Sequence, residues 1–84
     1  MHRTAPSFWR RFQQLPDALQ QTARRNFELL EENPRHPSLR FRNIGRYWSA
    51  RVSDAYRAVA VQDGGDFIWF WIGPHDEYIR IIRR

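Results

Sequence analysis

The segment WFWIGPHDEY, residues 69–78, runs from bulky apolar residues directly into side chains that can transfer protons or bind anions. The first of these is His75, whose imidazole suits acid or base catalysis because its unperturbed pKa lies near neutrality. Gly73 and Pro74 end the apolar run abruptly, so we expect His75 to emerge from a rigid strand at the edge of a sheet. A group held in this way has little freedom to move, as positioned proton transfer requires.

One set of residues could together cleave RNA through attack of its own 2′-hydroxyl group: His36, Arg51, Arg57, His75 and Tyr78. That reaction needs a base for the 2′ proton, cations at the crowded phosphate and an acid for the leaving 5′-oxygen. Arginine suits the phosphate because it stays cationic and binds two oxygens at once. The reaction needs no metal or other cofactor, and the sequence offers no convincing metal-binding cluster.

Structural roles compete with these catalytic ones. A histidine that follows a Gly-Pro turn, as His75 does, also occurs as a helix cap or a surface residue. The loop position of His36 favours a local hydrogen bond. Arg57 could pair with Asp54 or Asp76, although the small apolar residues that follow it on its strand favour a functional role.

Two further pairs of residues have simpler interpretations. Arg40 and Arg42 alternate on a predicted strand, which indicates a solvated face or charges that protect a sheet edge. Trp69 and Trp71 indicate core packing more than base stacking, because their strand is apolar on both sides. None of these four residues is therefore included in the predicted site.

The composition indicates a small soluble domain. The 84 residues, taken as one domain over 1–84, include no cysteine, so the sequence excludes disulfides and thiolate metal sites. No apolar run approaches the roughly 20 residues that span a bilayer. The N-terminal segment also lacks the apolar core of a secretory signal. We therefore expect a cytoplasmic protein with no membrane partner.

The charge of the chain favours an anionic partner. The net charge is +5, and all 14 basic residues are arginine. Such a balance indicates contact with nucleic acid or with an acidic protein. A GC-rich genome, whose codons favour arginine, would also account for the missing lysine, but it accounts less well for the excess of positive charge.

The hydrophobic pattern predicts two helices in the first part of the chain. Residues 4–15 have a helical period that stops at Pro16. A second helix is predicted to begin at Asp17 and to end before Asn33 and Pro34. The short connection between the two predicts an antiparallel helical hairpin.

The period changes to two in the second part of the chain. This change predicts four strands, over residues 38–45, 47–53, 55–62 and 67–73. A short C-terminal helix is predicted over residues 75–84. The fold class is therefore α+β, with an N-terminal helical hairpin packed on a four-stranded, mostly antiparallel sheet.

Alternation along the strands predicts which side chains share a face. In the second strand, Trp48, Ala50 and Val52 share one face, and Tyr47, Ser49 and Arg51 share the other. In the fourth strand, strict alternation places Trp69 and Trp71 on the same face. Both faces of that strand are apolar, which indicates that it is covered on both sides.

Three stretches of the sequence resemble motifs of the RelE/ParE superfamily of bacterial type II toxins. They are HPSLRF at 36–41, RVSDAYRAVAV at 51–61 and FIWFWIGPHDEY at 67–78. The last is similar to the closing motif of the superfamily, in which a strand ends in Gly, one residue, and then His or Arg. The resemblance covers nearly the whole chain and implies the same order of helical hairpin, antiparallel sheet and terminal helix.

The resemblance implies two possible activities. RelE-like members are mRNA interferases that cut messenger RNA in the ribosomal A site, whereas ParE-like members poison DNA gyrase and cleave no RNA. Both kinds are held inactive by a cognate antitoxin. The implied partners are therefore an acidic antitoxin together with the ribosome and messenger RNA, or alternatively DNA gyrase. A further alternative is a degenerate member that survives only as an antitoxin-binding module.

The resemblance also implies roles for single residues. Arg57 matches the arginine of the YR pair that contacts the reacting phosphate in RelE-like toxins. His75 falls where YafQ-like toxins carry a catalytic histidine and RelE an arginine, and His36 resembles a second histidine of the YafQ-like group. Tyr78 stands near the C-terminal tyrosine of RelE in an alignment that needs a gap. RelE has two lysines where this chain has only Arg51, so the resemblance is closer to the histidine-using, YafQ- and HigB-like branch.

Overall fold

The computed structural model describes residues 1–83 as three α-helices, one 3-10 helix and one five-stranded sheet. The strands are β1 (His2–Thr4), β2 (Arg42–Ile44), β3 (Tyr47–Arg51), β4 (Tyr56–Asp63) and β5 (Asp66–Pro74). The helices are α1 (Pro6–Phe12), α2 (Asp17–Glu32) and α3 (His75–Ile82), and the 3-10 helix spans Pro37–Leu39. The predicted α+β class is confirmed; of the predicted C-terminal helix, residue 84 lies outside the described residues.

The sheet has one strand more than the four that the sequence predicted. Its order is β1-β5-β4-β3-β2, and all neighbours are antiparallel except β1, which runs parallel to β5. The amide of Phe67 donates to the carbonyl of Met1 at 2.8 Å, and His2 lies opposite Phe67. Thr4, predicted as the start of the first helix, is the last residue of β1 instead. A three-residue strand is too short to show a period of two, and its partner lies far along the chain.

The strand predicted over 38–45 is shorter than expected because its first part forms a 3-10 helix. The ring of His36 accepts a hydrogen bond from the amide of Ser38 at 3.3 Å and so caps that helix. Arg40 follows with a φ of 45°, which is uncommon for a residue other than glycine. The chain becomes extended only afterwards, and β2 therefore begins at Arg42.

A β-bulge separates the two tryptophans of β5. Val59 of β4 pairs with Trp71, whereas the next residue, Ala60, pairs with Trp69, so Phe70 is the additional residue. The alternation of side chains shifts at this point. Trp69 packs with the residues of α1 and α2, and Trp71 packs with those of α3, on the opposite face. The prediction that both tryptophans share a face was wrong.

Two apolar cores cover the two faces of the sheet. The larger lies against α1 and α2, and its most buried members include Phe12, Leu30, Leu39, Ala50, Val52, Ala58, Ala60 and Ile72. The predicted common face of Trp48, Ala50 and Val52 is thereby confirmed, with Trp48 half-buried. The smaller lies against α3 and is centred on Val59, Trp71 and Tyr78.

No helix within residues 1–83 combines the length and the apolar character needed to cross a bilayer.

Gly73 lets β5 pass directly beneath an indole ring. A Cβ atom at this position would lie 2.7 Å from the ring of Trp71, which is closer than real side chains approach. The guanidinium of Arg11 covers the same ring at 5.3 Å and lies 3.8 Å from the carboxylate of Glu77 in the first turn of α3. These contacts fix the end of β5 against the start of α3.

His2 fastens β1 into an aromatic cluster. Its ring stacks on Phe67 and Trp69, with centroid distances of 5.2 and 6.0 Å, and meets Phe27 and Phe41 edge to face. The indole N–H of Trp69 donates to Nδ1 of His2 at 3.0 Å. A ring nitrogen accepts a hydrogen bond only when it carries no proton, so this contact requires the neutral imidazole.

We expect the folded protein to lose stability in mild acid through His2. Burial, reinforced by the N-terminal ammonium and opposed by Glu31, lowers the pKa of His2 below 6.5 in the folded state. The unfolded chain then binds the proton more readily, so the contribution is complete above pH 6.5 and is lost as the pH falls through the folded-state pKa. Urea unfolding of the wild type and of His2→Phe, each over that pH range, measures the effect. The advantage of the wild type should shrink in acid; a constant difference would contradict the prediction.

Candidate functional site

A cleft of about 210 Å³ lies between α3 and the sheet face that carries the smaller core. Most of its lining is basic or apolar, and the residues are Arg40, Arg42, Ser49, Arg51, Arg57, His75, Tyr78, Ile79 and Ile82. No carboxylate is among these described lining residues. Concentrated positive charge without acidic neighbours in the walls makes the cleft suitable for an anion.

Arg51 and Arg57 lie directly opposite each other on β3 and β4. Like charges at such cross-strand positions destabilise a sheet. Each is partly compensated: Arg51 forms an ion pair with Asp54, and Nη1 of Arg57 donates to the carbonyls of Ser53 and Tyr56 at 2.5 and 2.9 Å. The carboxylate of Asp54 is 98% exposed, so its ion pair is open to solvent and to competing anions.

The environment of Arg57 disfavours its positive charge. Burial, followed by the charge of Arg51, lowers the pKa of Arg57 from its ordinary value. Arginine remains protonated under ordinary conditions despite such a shift. An anion bound between the two guanidinium groups would therefore neutralise a repulsion that the fold otherwise carries.

His75 enters the cleft from the end of β5. It is the first residue of α3, and its backbone N–H donates to the carbonyl of Ala55 in the β3–β4 connection at 2.8 Å. Gly73, two residues earlier, lies opposite Arg57 in the sheet. Asp76 and Glu77 occupy the first turn of α3, where carboxylates interact favourably with the helix dipole. His75 and Arg57 are thus set at the same end of the sheet by neighbouring backbone contacts.

Tyr78 lines the cleft but belongs to the core. Its side chain is only 4% exposed and packs with Val59 and Trp71. Its hydroxyl forms a buried hydrogen bond of 2.7 Å with the hydroxyl of Ser49. The ring lies 5.5 Å from that of His75. The structure therefore shows a packing and anchoring role for Tyr78, and its predicted catalytic role stays a prediction.

His36 lies outside the cleft. Its Nδ1 atom interacts with the backbone and the hydroxyl of Ser38, at 3.3 and 2.8 Å, as the local hydrogen-bond interpretation expected. The other four candidate residues line one cleft: Arg51, Arg57, His75 and Tyr78. His75 lines this cleft and His36 does not. That these residues are catalytic stays a prediction.

Sequence reasoning missed Arg40 and Arg42, which it assigned to a solvated face or a sheet edge. Both line the cleft. Arg42 lies opposite Ser49, which faces α3, so the pairing of β2 with β3 was the signal that could have placed Arg42 there. Arg40 could not be placed in this way, because its left-handed backbone interrupts the alternation.

Comparison with solved structures identifies the fold. The RelB-RelE antitoxin-toxin complex from Methanococcus jannaschii matches with a TM-score of 0.73 and 13% identity, over 94% of this chain and 96% of that chain. The free R-to-A double mutant of E. coli toxin RelE matches with a TM-score of 0.66 and 13% identity, over 100% and 95% of the two chains. This chain has the RelE fold. Identities of this size show a shared fold alone.

A third neighbour is a copper-bound mutant toxin from Helicobacter pylori, with a TM-score of 0.64 and 14% identity over 90% of this chain and 94% of that chain. No protein-family model matches the sequence, and no curated protein matches it. Within residues 1–83, no group of three or more His, Asp or Glu side chains is placed to hold a metal ion. The predicted fold is confirmed, and the YafQ- and HigB-like branch is not distinguished by these likenesses.

The buried pair of hydroxyls gives a stability prediction. Tyr78→Phe leaves the hydroxyl of Ser49 buried without its partner, which should cost about 1–3 kcal/mol of unfolding free energy. Ser49→Ala should cost a similar amount, and the double variant should cost clearly less than the sum, because both partners are then absent. Urea unfolding of the four proteins measures the coupling, with Tyr47→Phe as a control on the same face. Additive costs would show that the hydrogen bond does not stabilise the fold.

Proposed function

We propose that this protein is the toxin of a bacterial type II toxin–antitoxin system and that it cleaves messenger RNA on the ribosome in the cytoplasm. The observation that carries the proposal is the juxtaposition of Arg51 and Arg57, opposite each other, with His75 at the adjoining strand end. The likeness in fold to RelE supports it, and one of the similar structures is a complex of RelE with the antitoxin RelB.

The cleft divides the chemistry among these residues. Arg51 and Arg57 bind the non-bridging oxygens of the reacting phosphate, where negative charge grows in the transition state. The 2′-oxygen attacks phosphorus while the bond to the 5′-oxygen breaks, which leaves a 2′,3′-cyclic phosphate and a 5′-hydroxyl. His75 protonates the leaving 5′-oxygen, and the proton of the 2′-hydroxyl passes to solvent water. The imidazole is held by the backbone contact between the N–H of His75 and the carbonyl of Ala55.

Because the hydroxyl of Tyr78 is already bound to Ser49, we assign proton transfer to His75 and an anchoring role to Tyr78. His36 is next in line as a candidate only if His75 proves dispensable, since its ring is engaged with Ser38. Two alternatives are separate outcomes of the tests below. One is a gyrase poison without catalysis, and the other is a module that only binds an antitoxin.

Removal of the imidazole should abolish most cleavage. We expect His75→Ala to lose on the order of 100-fold or more in rate, the usual scale for a general acid or base. His75→Arg should keep part of the activity, because RelE carries arginine at the matching place. Single-turnover cleavage of messenger RNA in a programmed ribosome complex is the measurement.

Arg57→Ala should also lose cleavage in the same assay. Because the guanidinium of Arg57 binds loop carbonyls, circular dichroism must show that the variant folds.

The matched control is Arg25→Ala, which removes an arginine of α2 whose hydrogen bond is to Thr22, away from the cleft. It should cleave like the wild type. Wild-type protein that arrests growth but leaves the transcript whole would reject the ribonuclease and favour the gyrase poison. Full cleavage by His75→Ala would keep the ribonuclease and assign proton transfer to another residue.

An acidic antitoxin should bind this basic chain. With a net charge of +5, the protein should attract a small, net-acidic partner that contributes an amphipathic helix or an extended segment. Co-expression with the adjacent gene, followed by pull-down from the tagged toxin, measures the interaction, and raised salt should weaken it. A chain that expresses freely alone, slows no growth and captures no neighbouring product would remove the support for a toxin.

A further inference from the structure

One wall of the cleft takes no part in the proposed reaction. It consists of Arg40 and Arg42, at the end of the 3-10 helix and the start of β2. Leu39, which is fully buried, anchors the chain immediately before them. The left-handed φ of 45° at Arg40 then turns the backbone, so that both arginines line the cleft. The fold therefore holds this basic wall in place through a buried residue.

The pairing of the strands fixes the distance between the two basic walls. Arg42 lies opposite Ser49, and Arg51 is two residues beyond Ser49 on the same face of β3. Arg42 and Arg51 are therefore diagonal neighbours, about 7–8 Å apart at the backbone. Arg57 lies one strand farther away, opposite Arg51. The separation of Arg42 and Arg51 is comparable with that of consecutive phosphates along an extended nucleic-acid strand.

The wall formed by Arg40 and Arg42, the β2 wall, has fewer neutralising contacts than the wall formed by Arg51 and Arg57. Arg51 has Asp54 as an ion-pair partner, and Arg57 has carbonyls of the β3–β4 connection. Neither Arg40 nor Arg42 forms an ion pair with any carboxylate in residues 1–83. Two arginines that face a cleft without a carboxylate partner are available to a phosphate.

We propose that Arg42, assisted by Arg40, binds a second phosphate of the same RNA strand, next to the one held by Arg51 and Arg57. The inference rests on the proposed function and deepens it: the preferred substrate is a single strand with two consecutive phosphates. The β2 wall positions the strand and takes no part in proton transfer. It holds the neighbouring phosphate, so that the reacting one lies between the β3 and β4 arginines and beside His75.

The test compares two RNA probes that cannot be cleaved because their 2′-hydroxyl groups are methylated. A dinucleotide carries one phosphate and a trinucleotide carries two. The wild type should bind the trinucleotide more tightly by about tenfold, the scale of one additional charged hydrogen-bonding contact. The dependence of its affinity on salt should be steeper by about 0.7 in the logarithmic slope, as one further phosphate contact predicts.

Arg42→Ala should bind both probes with nearly the same affinity and the same salt slope, because it has lost the second contact. Arg42→Lys should keep part of the difference. Arg46→Ala, which removes an arginine that stacks on Tyr47, is the control and should keep all of it. Circular dichroism of each variant establishes that the fold is intact.

Three outcomes would overturn the inference: equal affinity of the wild type for both probes, no binding of either, or an Arg42→Ala variant that weakens both equally. The last would indicate a general electrostatic effect. The proposed function fails separately, in the ribosome assay. A protein that distinguishes the probes but cleaves no messenger RNA would keep the second phosphate site and lose the ribonuclease.

Discussion

The β-bulge at Phe70 is the constraint on which the rest of the structure depends. It places Trp69 on the face covered by α1 and α2 and Trp71 on the face covered by α3, so one strand is packed from both sides. Without the shift, two indoles would fall on one face and the smaller core would lose its largest member. Because Trp71 lies over Gly73, the end of β5 is also fixed. His75 takes its position from this packing.

The electrostatics of the cleft run against the stability of the fold. Two arginines face each other across β3 and β4, and burial of Arg57 lowers its pKa. A sheet selected for stability alone would place opposite charges or apolar residues there. The solvent-exposed carboxylate of Asp54 and the loop carbonyls moderate the repulsion without filling the cleft. Such a compromise is typical of a site that is completed by an anionic ligand.

The sequence allowed the fold to be predicted wherever its signals are local. Ala50 of β3 and Val52, one residue beyond the strand, both belong to the larger core because alternation is maintained in that segment. The same reasoning failed for Trp71, since a bulge depends on the partner strand and leaves no local mark. Four of the five candidate site residues line the cleft. Arg42 was missed because its face is set by pairing with β3. Tertiary pairing, and not composition, decided these cases.

Helix α3 contributes both to the smaller core, through Tyr78, and to the cleft, through His75. Its first turn carries His75, and one turn later Tyr78 enters the smaller core and bonds to Ser49. The helix is therefore attached to β3 by the same face that lines the cleft, through a hydrogen bond shielded from water. Any movement of α3 away from the sheet would expose Tyr78 and exchange its hydrogen bond with Ser49 for bonds to water, at a net cost of about 0.5–1.5 kcal/mol from the hydroxyls alone. His75, the proposed proton-transfer residue, is consequently held by the fold itself in the cleft that the arginines line.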